Sequence, residues 1–178
     1  MIITIITAII AIALGVIVAL TFNMLEDYYT KRNKVSFKSN IDILGMPVVT
    51  IQANNTNLNL LIDTGAETSI LSTEGAIVSR LAINPEKAAK SLGADGVLCD
   101  VFVGDLKFTL KKEPYEQVFW VRDSLDAAFA SILKDEGIQI HGLLGSDFFN
   151  SNNYVIDYKD HILYKKRSRK NGKHNKNR

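Results

Sequence analysis

The sequence predicts a mainly β fold, a small closed barrel with one or two short helices, preceded by an N-terminal transmembrane helix. Three observations carry this expectation. Short apolar or alternating runs, separated by turn-forming clusters, recur through residues 41–164. Two stretches in that region read as short helices rather than strands. Residues 2–22 carry no charged side chain and consist of Ile, Val, Leu, Ala, three Thr, one Gly and a Phe.

The apolar run comes first along the chain. As a helix it would extend roughly 31 Å, enough to cross the hydrocarbon core of a bilayer. A cleaved signal peptide competes with this reading, but such a peptide has a basic leading segment and a shorter apolar stretch. No Lys or Arg precedes the run here, so an uncleaved anchor at 1–22 is expected. Lys31, Arg32 and Lys34 follow it, and positive charge beside a span favours the cytoplasmic side. Residues 23–40 read as a polar juxtamembrane linker, 41–164 as the folded domain and 165–178 as a disordered basic tail.

Within the domain, residues 48–51 read as a strand, 54–57 as a turn cluster and 58–62 as a second, buried strand. Residues 68–71 form a third. Ser72 is placed to cap a short helix that closes before Asn84-Pro85. Residues 97–103 alternate, and Gly104-Asp105 is expected to turn the chain into 106–110 as a hairpin. Residues 118–121 make another strand. Asp123 or Ser124 caps a helix to about Lys134, with Leu125, Ala128, Phe129 and Ile132 at helical spacing. Residues 138–144 return to strand, and 154–164 make a closing hairpin turning at Lys159-Asp160. No internal repeat is visible.

Composition narrows the chemistry. The single cysteine, Cys99, excludes an intrachain disulfide framework and reads as a small core residue. His141, His161 and His174 are scattered, so neither a metal site nor any other cofactor is expected. The tail beyond Tyr164 holds eight basic residues and no acidic one, which leaves the remainder at −6 against the chain's net +2. An acidic folded part gives no case for specific nucleic-acid binding. The tail reads equally as solvated disorder or as a partner of anionic headgroups. Phe119 and Trp120 read as core or groove wall.

The segment Leu60-Leu61-Ile62-Asp63-Thr64-Gly65-Ala66 carries the chemistry. A buried strand runs straight into a carboxylate, and Gly65 lets the backbone turn its N–H toward it. Two such units face to face would hold two carboxylates that share a proton, one acid and one base around a water. That is equipment for amide hydrolysis. Asp-Thr-Gly alone also fits a plain turn after a strand. About eighty residues on, Gly142-Leu143-Leu144-Gly145-Ser146-Asp147-Phe148 offers an apolar pair before a glycine, then a helix capped by Ser146. Asp147 sits in that helix's first turn, or is a second catalytic carboxylate.

These two motifs together resemble the single-domain retropepsin-like aspartic peptidases, over roughly 41–164 and in the same order. The resemblance implies that Asp63 is the catalytic aspartate, Thr64 clasps its counterpart across a two-fold axis, and Gly65 and Ala66 shape the turn. Leu143, Leu144 and Gly145 would be the supporting loop, and the closing hairpin part of a dimer sheet. It implies a homodimer acting on peptide or protein substrates. A flap is expected, with Gly93, Ala94, Asp95 and Gly96 as its tip and 97–103 as its descending arm. Its ascending arm, 86–92, departs from the pattern because Lys87-Ala88-Ala89-Lys90 reads as helix. A non-catalytic retropepsin-like dimerisation or peptide-binding module tethered to the membrane is the alternative, and a scaffold acting through the basic tail a third reading.

Overall fold

A computed structural model describes residues 2–32, 34–92 and 98–166. The expected flap tip at 93–96 and the tail from 167 onward lie outside the described residues, as does the side chain of Cys99.

Helix α1 (Ile2–Arg32) continues well past the apolar run. Its segment Ile5–Leu25 is long and apolar enough to cross a membrane, a property a signal sequence shares, and it is buried against nothing else in the protein. Two short elements follow, β1 (Val35–Ser36) and α2 (Lys38–Leu44). Both fall within or overlap the stretch read from sequence as linker. β1 pairs antiparallel with β10 (Ile162–Lys165), Val35 against Leu163, and Phe37 is 1% exposed in the core. The Phe37 ring meets Tyr158 and His161 edge-on or tilted. A single aromatic in a polar stretch gives no periodic signal, yet its burial ties the domain's start to its closing hairpin.

The barrel has six strands. β2 (Val48–Ala53), β3 (Thr56–Ile62), β8 (Gly142–Leu144), β4 (Ile70–Leu71), β7 (Glu113–Val121) and β6 (Leu98–Leu110) are neighbours in that order. A β2–β6 pairing at Gln52 and Thr109 closes the circle. β3–β8 and β4–β7 are parallel. The interior is filled by Leu58, Leu60 and Ile62 from β3, Leu71, Phe108, Phe119, Leu144 and Phe148. The last two helices are α4 (Asp126–Glu136), entered through a 3-10 turn at Asp123–Leu125, and α5 (Ser146–Ser151), followed by β9 (Tyr154–Asp157) and β10. Phe148 and Tyr154 stack, and the Tyr115 hydroxyl lies 2.6 Å from that of Tyr154, so the terminal hairpin is joined to β7. Helix α3 (Thr73–Ser79) starts as expected, with the Ser72 hydroxyl accepting from the Gly75 N–H.

Two local expectations are overturned. Lys87–Lys90 is not helical; it belongs to β5 (Ala82–Leu92), which pairs with β6 from Ala82 opposite Asp105 to Leu92 opposite Leu98. A ladder of cross-strand bonds outweighs the few tenths of a kcal/mol by which Lys and Ala favour helix. A register shift between Asn84 and Ala89 takes up the irregularity around Pro85, a residue without an N–H for the ladder. Nor does the chain turn at Gly104. β6 runs through it, and Gly104 is needed for closeness: a Cβ there would lie 2.6 Å from the Ala82 carbonyl oxygen. The actual turn is Lys111-Lys112, both at positive φ (49° and 72°), the mirror-image geometry that suits a twisted hairpin.

Gly104→Ala is expected to cost about 1–3 kcal/mol through overpacking against the β5 backbone. Urea denaturation of both proteins checks this, and an unchanged midpoint would contradict the close approach.

Candidate active site

β3 delivers Asp63. Its ladder with β8 pairs Leu60 with Gly142, Leu61 with Leu143 and Ile62 with Leu144. The Asp63 N–H then donates to the Leu144 carbonyl at 3.1 Å, extending the ladder one residue past the strand. The chain turns at once: the Ala66 N–H returns to the Asp63 carbonyl (3.3 Å), and the Gly65 N–H donates to Asp63 Oδ1 (2.9 Å). A Cβ on Gly65 would press on that oxygen at 3.2 Å. Asp63 is half-buried, whereas Thr64 and Gly65 are exposed. One carboxylate oxygen is thus oriented by the backbone at the barrel surface.

The far side of the loop is bound to α5. Ser146 donates from both its N–H (2.8 Å) and its hydroxyl (3.0 Å) to the Ala66 carbonyl, and the Asp147 N–H donates to the Glu67 carbonyl (3.2 Å). Ser146 therefore does not cap α5 as expected; Gly145 occupies that position without a side-chain bond. Gly145 lies so close to the loop that a Cβ would sit 2.6 Å from the Thr68 carbonyl carbon.

Asp147 is in the first turn of α5. Its Oδ2 accepts from the Ser69 N–H (3.0 Å) and Gln117 Nε2 (2.7 Å). Its Oδ1 accepts from the Ser69 hydroxyl (2.8 Å) and the Phe148 N–H (2.8 Å). The Ser69 oxygen, fully buried, accepts in turn from the Gly145 N–H (3.0 Å). Four donors occupy Asp147, and it acts as the clamp between the loop's exit and α5.

Asp63, Thr64, Gly65, Ala66, Leu143, Leu144 and Gly145 are thus brought together. Leu144 faces the barrel interior and Leu143 the opposite face of the sheet. Phe119 is interior, and Trp120 packs partly buried on the Leu143 face. Among the described residues no group of three or more His, Cys, Asp or Glu is arranged to hold a metal.

A family profile described as aspartyl protease matches residues 49–148, a span that includes both Asp63 and Asp147. The chain belongs to the aspartyl protease family. No curated protein matches it. Among solved structures it is similar to EIAV protease complexed with the inhibitor HBY-793, at 23% identity and TM-score 0.41, covering 60% of this chain and 86% of that one. It is also similar to the retroviral protease-like domain of Ddi1 from Leishmania major, at 17% identity and TM-score 0.46, covering 67% and 94%. The retropepsin-like expectation is met by the family match together with the closed barrel.

Sequence reading missed Ser69, Gln117 and the role of His141. In this member of the family His141 is buried, just ahead of β8. Its Nδ1 accepts from the Asn59 N–H (3.0 Å), and its carbonyl accepts from the N–H and hydroxyl of Ser72. Burial holds the imidazole below its ordinary 6.5, with the Glu74 charge opposing.

Asp147→Ala leaves the buried Ser69 donors without an acceptor and is expected to destabilise by roughly 3 kcal/mol; a thermal midpoint unmoved from wild type would argue against the clamp. The depressed His141 makes the unfolded chain bind more protons, so its contribution is fully present above about 6.5 and fades as pH falls below that value. His141→Gln is expected to flatten the fall in midpoint between pH 6.5 and 5, measured by calorimetry.

Proposed function

We propose that the protein is an aspartic endopeptidase that hydrolyses peptide bonds by activating a water between two Asp63 carboxylates at a homodimer interface. The observation that carries this reading is the half-buried Asp63, oriented by Gly65 beside exposed Thr64, in a chain with one Asp-Thr-Gly. General acid–base hydrolysis needs a second carboxylate sharing the proton. Asp147 is a poor source, because four donors already hold it. A second copy supplies the partner most simply, since an isologous two-fold contact brings identical groups face to face. Thr64, exposed next to Asp63, is then available to the other subunit. β5 and β6, paired as far as Leu92 and Leu98, would serve as the two arms of a flap in this reading.

α1 anchors the dimer in the membrane in this reading, and Lys31, Arg32 and Lys34 set the domain on the cytoplasmic side. The basic tail adds attraction to anionic headgroups. Two-dimensional confinement raises the effective concentration of subunits and favours pairing.

Cleavage of a peptide library by the full-length protein in detergent tests this directly. Asp63→Asn is expected to abolish cleavage with the fold retained, and dilution of the wild type is expected to lower its specific activity. Substantial cleavage by well-folded Asp63→Asn would remove the mechanism, and a fully active monomer would remove the dimer.

A further inference from the structure

With α1 taken as an anchor, one end of the domain is set close to the membrane. The apolar span ends at Leu25, and the helix runs on to Arg32. The seven residues 26–32 rise about 10 Å along the helix. The headgroup layer takes up about 5–8 Å of that height, half the difference between a whole bilayer and its hydrocarbon core. Lys34, two residues past the helix, therefore stands just above the headgroups, and any tilt of the helix lowers it. That height is inside the roughly 8 Å over which charge is felt at physiological salt.

Tertiary contacts gather further lysines around Lys34. Lys111 Nζ donates to the Lys34 carbonyl across 77 residues of chain. In the β1–β10 ladder Ser36 is opposite Ile162 and Val35 opposite Leu163, so Lys34 lies toward the Lys165 end of β10. Lys165 Nζ is 3.3 Å from Glu113 Oε2, and Glu113 directly follows the Lys111-Lys112 turn. Lys34, Lys111, Lys112 and Lys166 are exposed. Glu113, the acidic residue within this group, is already paired with Lys165. In α1, Glu26 and Asp27 are balanced by Lys31 and Arg32. The turn at the other end of the β9–β10 hairpin carries Asp157 and Asp160 instead. Both residues of the Lys111-Lys112 turn have positive φ, a geometry that Asn-Gly makes with less strain. Lysine adds nothing to such a turn except its charge.

We propose that the Lys111-Lys112 turn, with Lys34, Lys165 and Lys166, is a docking face for anionic lipid headgroups, and that it fixes the orientation of the domain on the bilayer that holds α1. This rests on the anchor reading above and not on catalysis. A single span fixes the height of the domain but not its tilt; a second contact at the hairpin tip fixes both. Each lysine brought to an anionic surface strengthens the contact roughly fivefold. The 13-residue β6 runs from Leu98, where it meets Leu92 of β5, down to this turn. Its ends are about 40 Å apart measured along the strand, so the docked turn points the far end of the β5–β6 pair toward water.

The test is lysine footprinting of the full-length protein in lipid nanodiscs, made of phosphatidylcholine alone or with added phosphatidylserine. A water-soluble amine-acylating reagent is applied, and each lysine is read by mass spectrometry. Lys112 and Lys166 are expected to react several-fold more slowly in the phosphatidylserine discs, and Lys159, in the turn at the other end of the β9–β10 hairpin, equally in both. Added salt is expected to remove the difference. Lys111→Asn combined with Lys112→Asn keeps the turn, because Asn accepts positive φ, and is expected to return Lys166 to its phosphatidylcholine rate; a Lys166 still slowed in that variant overturns the role of the turn. Equal Lys112 rates in the two discs, in protein that co-elutes with lipid, overturn the docking face and leave the anchor and peptidase readings standing. Protein that does not enter the discs overturns the anchor reading and the docking face with it. Protection of Lys112 by an added oligonucleotide but not by phosphatidylserine assigns the face to nucleic acid and overturns the proposal.

Discussion

The parallel pairing of β3 with β8 is the contact on which the rest of the site depends. It joins Leu60–Ile62 to Gly142–Leu144 across about eighty residues of chain, and its last bond, Asp63 N–H to the Leu144 carbonyl, fixes the carboxylate's depth. A one-residue slip would turn Asp63 into the barrel and Ile62 out of it, because side-chain direction alternates along a strand. The slip is opposed from both sides of the sheet. Ile62 and Leu144 are buried in the interior, while Leu61 and Leu143 pack beneath α4. That double burial explains why residues 58–62 read as almost wholly apolar instead of alternating.

Glycine makes this pairing close enough. Gly142 lies against Ile70 and Leu71 of β4 so tightly that a Cβ would overlap the Ile70 carbonyl. Gly145 does the same against Thr68. Three backbones, β3, β8 and the loop entering β4, are thereby drawn together, and their polar groups would be stranded without partners. Ser69, Ser146 and Asp147 supply those partners. The polar cluster behind the loop follows from burying backbone at a site where a charged side chain must point outward.

The terminal elements are bound to the same core from the opposite end. β1, β10 and β9 form a separate three-stranded sheet. It meets the barrel through Phe37, Leu163 and the Tyr115–Tyr154 pair, where Lys165 lies 4.9 Å above the Tyr115 ring. Burial, and then the contacts to Tyr154 and Glu113, push the Tyr115 hydroxyl far above its ordinary value, so it stays neutral and can donate to Glu113. Because β1 follows α1 so closely in sequence, whatever holds the apolar helix also holds this sheet.

Much of the site was legible because its signals are local. The apolar run into Asp63-Thr64-Gly65, the Leu143-Leu144-Gly145 segment, the Ser72 cap and the closing hairpin each rest on period, turn chemistry or capping within a few residues. The failures are non-local. Lys87–Lys90 has helical propensity, but β6 was there to pair with it; Gly104 resembles a turn, but it serves a close backbone crossing; Lys111-Lys112 turns without glycine or asparagine because the β6–β7 ladder on either side imposes it. Nothing in one dimension ties Ser69 to Asp147, 78 residues away, or brings Phe129 of α4 against Leu143. The sequence by itself determined that Asp63 follows a buried apolar strand and that the domain is mainly β. Only the tertiary structure decided which backbone fixes the depth of that carboxylate and which side chains clamp the loop behind it, since those contacts depend on which strands become neighbours.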